Sequence, residues 1–464
     1  MEQSKRSSFS GSLGFILAAA GSAVGLGNIW RFPYLAAKDN GGLFILIYII
    51  LALTFGFTLL TTEIAIGRKT KQSPLTAYKL INKKFGFIGS IATIVPVLIL
   101  PYYCTIGGWV IKYFITFLTG DGIKAAGDGY FTGFITDTIS PLSLMVVFLL
   151  ITSIVIIGGV NKGIEKLSKV LMPILLILVI GISIYSLTLS HTTDEGITRT
   201  GLDGLKIYLI PSFENLTVKE FFITLMDAMG QLFFSISVAM GIMVAYGSYV
   251  SDDTNLMKSI NQIEIFDTLV ALLAGMMIVP AVFVFMGKEG MSAGPGLMFV
   301  SLPKVFENMG SIGTVIGILF FLMVLFAAIT SSVSIMEAIV SSIMDRFKLS
   351  RKKSAVIVLV YALVFGTIVC LGYNKFYFEL KLPNGSIGQI LDVFDYLSNN
   401  ILMPLLALFT CILIGWVAKP KTIIDEVTKN GEKFGRKFIY TATIKFIAPI
   451  LLFVLLLQAT GIIK

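Results

Sequence analysis

The chain has 464 residues, of which 56% are hydrophobic and only 14% charged, with a mean hydropathy of +0.89. A soluble globule carries nearer a quarter charged residues, so this composition excludes one and indicates an integral membrane protein. A net charge of +9 suggests nucleic acid in a soluble protein, but here the basic residues fall between apolar segments and are better read as topology.

In chain order, apolar segments long enough to span a bilayer centre on residues 13–38, 41–66, 87–118, 141–159, 167–189, 221–250, 262–286, 312–344, 354–373, 386–416 and 438–462. We number these spans one to eleven. Span one contains GSAVGLGNIWRFPY, residues 21–34. Gly21, Ser22, Gly25, Gly27, Asn28, Arg31 and Pro33 have no place in a plain anchor, because glycine weakens a helix and proline removes a donor. Broken backbone at membrane depth is tolerated only where protein or a water-filled cavity satisfies the freed groups. Span one is therefore expected to be interrupted at a binding site. Span six has a second interruption, GQLFFSISVAMG, Gly230 to Gly241. Asp267 lies inside span seven, where an ionised carboxylate is unfavourable without a partner.

With a cytoplasmic N-terminus, the inner segments hold 23 Lys and Arg against 9 outside. That asymmetry obeys the positive-inside rule, and eleven spans then leave the C-terminus outside. The cell membrane, as a bacterial inner membrane, is the expected location. Cys104, Cys370 and Cys411 all fall within spans, which argues against a disulfide framework. The only histidine is His191, and no metal-ligand or nucleophile–base cluster is visible, so no enzyme is expected.

Spans one to five (13–189) and six to ten (221–416) match in number, and each group opens with an interruption. Five is odd, so the second group must be inverted relative to the first. Paired interruptions in inverted repeats point to a transport site at the bilayer midplane. The expected fold is thus all-α, with about eleven transmembrane helices, an inverted 5+5 repeat with unwound helices one and six, and an extra helix at 438–462. The whole chain reads as one transporter domain, 1–464.

GSAVGLGNIWRFPY and the following GGLFILIY closely resemble the neurotransmitter:sodium symporters. The resemblance continues through ILPYYCTIGGW in span three, GQLFFSISVAMGIMVAYGSYV in span six, GPGLMFVSLPKVF before span eight and FAAITSSVSIME within it. It is nearest to the bacterial eleven-span amino-acid transporters. The resemblance implies sodium-coupled import of a hydrophobic or aromatic L-amino acid by alternating access, with two sodium ions and no organic cofactor. Its partners are then the amino acid and the lipid bilayer, with no nucleic acid. A proton-coupled amino-acid transporter of the same broad fold, or a transporter-like receptor, is the alternative.

By resemblance, one sodium site would use Ala23, Asn28, Ser235, Asp267 and the carboxylate of the substrate. A second would use carbonyls of Gly21, Val24 and Ala327 with the hydroxyls of Thr330 and Ser331. Hydroxyls in membrane helices also commonly bond to the backbone one turn back. Asp267 stands where eukaryotic relatives have asparagine, and Ala271 lacks a hydroxyl that helps hold chloride in them, which implies chloride independence. Gly25 stands where monoamine carriers have aspartate, so the substrate should bring its own carboxylate to Tyr103, Leu26 and Gly27. Its ammonium would meet Ala23, Phe234, Ser235 and Ser331. Its side chain would lie among Ser22, Ile99, Phe234, Ser237, Met240 and Ile335.

The resemblance also implies an outer gate of Arg31 with Asp395 and an inner gate of Arg6 with Asp345, near Tyr249. Glu63 is expected to satisfy the unwound backbone of span one. Gly163 and Pro173 have a spacing that lets span five unwind in relatives.

Overall fold

The computed structural model describes residues 8–211, 213, 216–291 and 294–463. Among these, nine helices are long and apolar enough to cross a membrane. They are Gly42–Thr70, Lys83–Leu118, Ile139–Ile157, Val160–Leu187, Leu256–Met286, Ser311–Phe347, Arg351–Leu371, Ile390–Val417 and Lys437–Ala459. A tenth crossing is the pair Ser12–Ala23 and Gly27–Lys38, bent by 54°. The expected eleventh is span six, present as Val218–Ser235 and Ile242–Gly247 with a break between them. Neither piece meets the length and composition of a spanning helix alone, because the break divides its apolar run.

The break in span one falls at Val24, whose ψ of 92° is extended. A π-helical turn, Gly27–Arg31, follows it. Pro33 is not the breaker. It lies inside the helical stretch Gly27–Lys38, directly after the π-helical turn, and the helix runs on past it. Span six breaks through Ser237 and Ala239, which hold φ of 50° and 57°, and Gly241 at 71°. Left-handed backbone at two non-glycine residues is strained by about 1–2 kcal/mol each and persists only where its surroundings hold it.

Span three packs along span eight and crosses span four at close range. A Cβ on Gly108 would lie 2.6 Å from the Met145 nitrogen, and one on Gly107 2.5 Å from the Phe148 ring. Small residues let membrane helices approach where hydrophobic burial alone cannot drive them together. The GG of span three is therefore a packing device. Ile139, Ile154, Ile177 and Ile450 are more than 60% exposed and form part of a lipid-facing belt. Polar groups such as Asn28, Glu63, Ser235 and Asp267 are instead wholly buried between spans. Two short hairpins lie in the loops after spans five and nine, pairing Ser190–Thr192 with Thr198–Thr200 and Leu380–Lys381 with Ile387–Gly388.

Candidate functional site

The two breaks meet. Ser237 Oγ donates to the Ser22 carbonyl at 2.8 Å, and Gln231 Nε2 donates to the Gly27 carbonyl at 3.1 Å. Each break leaves backbone groups without helical partners, and these bonds satisfy some of them. Glu63 does the same, at a different place from the one expected. Its Oε1 accepts the Ala239 N–H at 2.8 Å, so it supports the break in span six rather than the one in span one.

A small cavity of about 30 Å³ lies where the breaks face spans three and eight. Span one contributes Ser22, Gly25, Leu26 and Gly27 to its wall. Ile99 and Tyr103 line it from span three, Phe234, Ser237 and Met240 from span six, and Ser331 and Ile335 from span eight. The structure therefore brings together most of the residues expected around a substrate. Ala23 and Ser235 are fully buried outside that lining. Ser22 Oγ is buried without a hydrogen-bond partner among the described residues, which leaves a polar atom for a ligand at the wall. Gly25 marks the polar end: a Cβ there would lie 3.0 Å from Ser331 Oγ and 3.4 Å from Tyr103 Oη.

Beside the cavity is a sealed oxygen cluster. Asn28 Nδ2 donates to Ser235 Oγ and to Asp267 Oδ1, each at 2.9 Å. Ser235 Oγ lies 3.0 and 2.9 Å from the two Asp267 oxygens. Tyr48 Oη donates to Ser235 Oγ at 2.7 Å. Asn28, Ser235, Asp267 and Tyr48 are all 0% exposed. No Lys, Arg or His pairs with Asp267 among the described residues, and Asn28 Oδ1 has no partner. A buried carboxylate without a counter-ion is costly, and a free amide oxygen beside it completes a place for a hard cation. Reading the sequence does not single out Tyr48, although it closes the GGLFILIY string.

The second cluster is built on one hydroxyl. Ser331 Oγ lies 3.4 Å from the Gly21 carbonyl oxygen, 3.2 Å from that of Ser22 and 3.4 Å from that of Val24. A single hydroxyl proton cannot satisfy three acceptors, so these carbonyls converge beyond what the protein alone needs. Thr330 Oγ1 meanwhile donates to the Phe326 and Ala327 carbonyls of its own helix, at 3.0 and 3.1 Å. Gly21, Val24, Ala327, Thr330 and Ser331 are thus neighbours.

The gate residues are arranged less simply. Arg31 and Asp395 make no direct ion pair among the described residues. The Arg31 guanidinium lies 5.6 Å from the Phe234 ring centroid, and its charge reaches Asp395 only at longer range. Asp395 instead accepts from Asn399 Nδ2. A vestibule of about 430 Å³, lined by Arg31, Phe234 and Asn399, leaves this gate unlatched. At the opposite end of the bundle, Asp345 accepts the Ser73 N–H at 2.7 Å. Its expected partner Arg6 lies outside the described residues. Tyr249 Oη donates to Glu337 Oε1 at 2.6 Å. Glu337, 0% exposed, is gripped bidentately by Arg351 at 2.7 and 2.9 Å. The acid that ends FAAITSSVSIME is the one sequence signal for this buried pair, and nothing in the motif itself names Arg351 as its partner. Span five is helical from Val160 through Leu187, unbroken at Pro173. Gly163 is required there by packing, since a Cβ would lie 2.0 Å from the Val155 carbonyl oxygen.

Paired broken helices around a small cavity, with a counter-ion-free carboxylate next to it, define a multi-pass membrane transporter. The chain belongs to the sodium:neurotransmitter symporter family, matched over residues 6–124 and 135–463. It is 33% identical to the sodium-dependent transporter YhdH of Bacillus subtilis, over the full length of both chains. It is 24% identical to the sodium- and chloride-dependent GABA transporter 2 of Rattus norvegicus, over 91% of this chain and 75% of that one. Among solved structures it resembles MhsT in complex with L-phenylalanine, with a TM-score of 0.85, 32% identity, and 98% of this chain and 100% of that one covered. It is a sodium-dependent symporter, not an enzyme.

Proposed function

We propose that this symporter imports a hydrophobic or aromatic L-amino acid with sodium, without chloride, by alternating access. The observation that carries the reading is the counter-ion-free Asp267 beside a cavity whose polar end is formed by Gly25, Tyr103 and Ser331. The substrate carboxylate faces Tyr103 and the positive helix start after the break at Leu26 and Gly27. The ammonium meets Ala23, Phe234, Ser235 and Ser331. The side chain lies among Ser22, Ile99, Phe234, Ser237, Met240 and Ile335, and Met240 adapts its shape to the substrate. The similar transporter MhsT, whose solved structure holds L-phenylalanine, supports this substrate class.

Two sodium ions are carried. The first takes Ala23, Asn28, Ser235, Asp267 and the substrate carboxylate; Asp267 supplies the negative charge that makes chloride unnecessary. The second takes Gly21, Val24, Ala327, Thr330 and Ser331. Arg31 and Asp395 close above the substrate once it binds, while Asp345, with Arg6 and Tyr249, closes the inner side. Residues 13–189 and 221–416 act as inverted repeats, with 438–462 outside them. The N-terminus is cytoplasmic and the C-terminus outside, in a bacterial inner membrane.

The test is competition binding by all twenty amino acids on purified protein, with and without sodium. Sodium-dependent binding that favours bulky apolar side chains supports the reading. Preference for small polar or acidic amino acids refutes it.

A further inference from the structure

The outer half of span one ends at Lys38, and Asp39 follows it. Lys38 Nζ lies 2.9 Å from Asp227 Oδ2 and 3.6 Å from Asp39 Oδ1. Asp227 belongs to Val218–Ser235, the outer half of span six. Asp39 is only 6% exposed, and its Oδ2 has no hydrogen-bond partner among the described residues. The Asp39 and Asp227 carboxyl groups thus face each other across one ammonium, each with an oxygen within 4 Å of Lys38 Nζ. Three charged groups thus join the outer halves of the two broken helices, beside the vestibule that Asp227 lines.

One ammonium cannot neutralise two carboxylates. Lys38 is closer to Asp227, so Asp39 must ionise in a buried place beside a like charge. Burial, followed by the Asp227 charge, pushes the Asp39 carboxyl up to about 7, against the pull of Lys38. The other charged groups nearby do not relieve it. Tyr34 lies one turn back on the same helix. Arg31 lines the vestibule with Asp227, and Lys288 lines a smaller cavity with Lys38. On Gly201–Leu209, which packs against Gly41 and Gly42, Lys206 is held by Asp203 at 3.0 Å. None of these three cations pairs with Asp39 among the described residues.

We propose that Lys38, Asp39 and Asp227 form a proton-operated clasp that holds the outer halves of spans one and six together. With the proton shared, Asp39 donates to Asp227 and Lys38 bridges both. Without it, two carboxylates repel across the joint and the vestibule widens. The sign follows from linkage. An Asp39 exposed by opening titrates at about 3.9, whereas the clasped one holds its proton up to about 7. The clasped conformation therefore gains as pH falls from about 7 toward about 4, and loses that gain as pH rises through 7.

The clasp is tested by labelling a cysteine in the vestibule, which follows its width whatever solute is carried. Cys104, Cys370 and Cys411 are buried, and Asn384 lines the vestibule. The maleimide labelling rate of Asn384→Cys in nanodiscs is normalised to that of Glu195→Cys, on an exposed loop, to remove the pH dependence of the thiol itself. The normalised rate should rise at least about fivefold from about pH 5.5 to about pH 8 in the otherwise native chain. It should become flat in Asp39→Asn and fall by at least about half in Asp227→Asn, where burial alone still acts on Asp39. Absence of the rise in the native chain, its survival in Asp39→Asn, or an undiminished rise in Asp227→Asn overturns the proposal.

Discussion

Glu63 and Ala239 lie 176 residues apart, and the Glu63 carboxylate accepts the Ala239 N–H at 2.8 Å. Ala239 sits in left-handed backbone at the break of span six, next to Met240 in the cavity wall. One buried side chain therefore holds the strained turn that shapes the cavity.

Removing that acceptor should show in stability. Glu63→Ala leaves a buried N–H unsatisfied, a loss of about 1–3 kcal/mol, while Glu63→Gln keeps an acceptor and should stay within about 1 kcal/mol of the native chain. Thermal unfolding in detergent, followed by reactivity of the three buried cysteines, measures both. Equal loss in the two variants would remove Glu63 from this role.

The inner pair makes a larger prediction. Arg351→Ala strands the wholly buried Glu337 carboxylate, and breaking such a pair destabilises by about 3–5 kcal/mol. Adding Glu337→Gln removes the stranded charge and should recover much of the loss. A double variant no more stable than Arg351→Ala would contradict the account.

Chloride should be dispensable. Uptake into vesicles should require sodium and persist when gluconate replaces chloride, because Asp267 already provides a buried negative charge. Asp267→Ala should raise the sodium needed for half-maximal binding roughly tenfold or more. Strict dependence on chloride in the native chain would disprove this use of Asp267.

The crowding at Gly25 bears on substrate class. An amino acid should bind roughly a hundredfold more tightly than its decarboxylated amine, which leaves the polar end of the cavity unfilled. In Gly25→Asp the new carboxylate grows from a Cβ 3.0 Å from Ser331 Oγ and 3.4 Å from Tyr103 Oη, the space assigned to the substrate's own. That variant should lose amino-acid affinity and narrow the gap. Paired competition, tyrosine against tyramine and tryptophan against tryptamine, decides it.

The unlatched outer gate separates binding from transport. Arg31→Ala and Asp395→Ala break no direct ion pair in this conformation, so thermal stability should change by less than about 1 kcal/mol. Transport should nevertheless fall at least about tenfold if the pair forms on closure. Normal uptake in either variant would show that the two residues do not gate.

Eleven apolar runs and the interruptions at residues 21–34 and 230–241 were legible in the chain, whereas the residues around the cavity came from the family resemblance of its motifs. Length, hydropathy and glycine content are local properties, and lipid leaves the backbone few alternatives to helix. Tertiary structure alone decided the partners. Pro33 reads as a breaker, yet the chain turns at Val24 and stays helical past Pro33, from Gly27 to Lys38. Glu63 reads as support for span one, but span two lies against the break of span six. Tyr48, Glu337 with Arg351, and the joint of Lys38, Asp39 and Asp227 each depend on contacts between distant spans. Hydropathy says that a buried charge needs a partner; only the packing of one helix against another says which partner it meets and how closely.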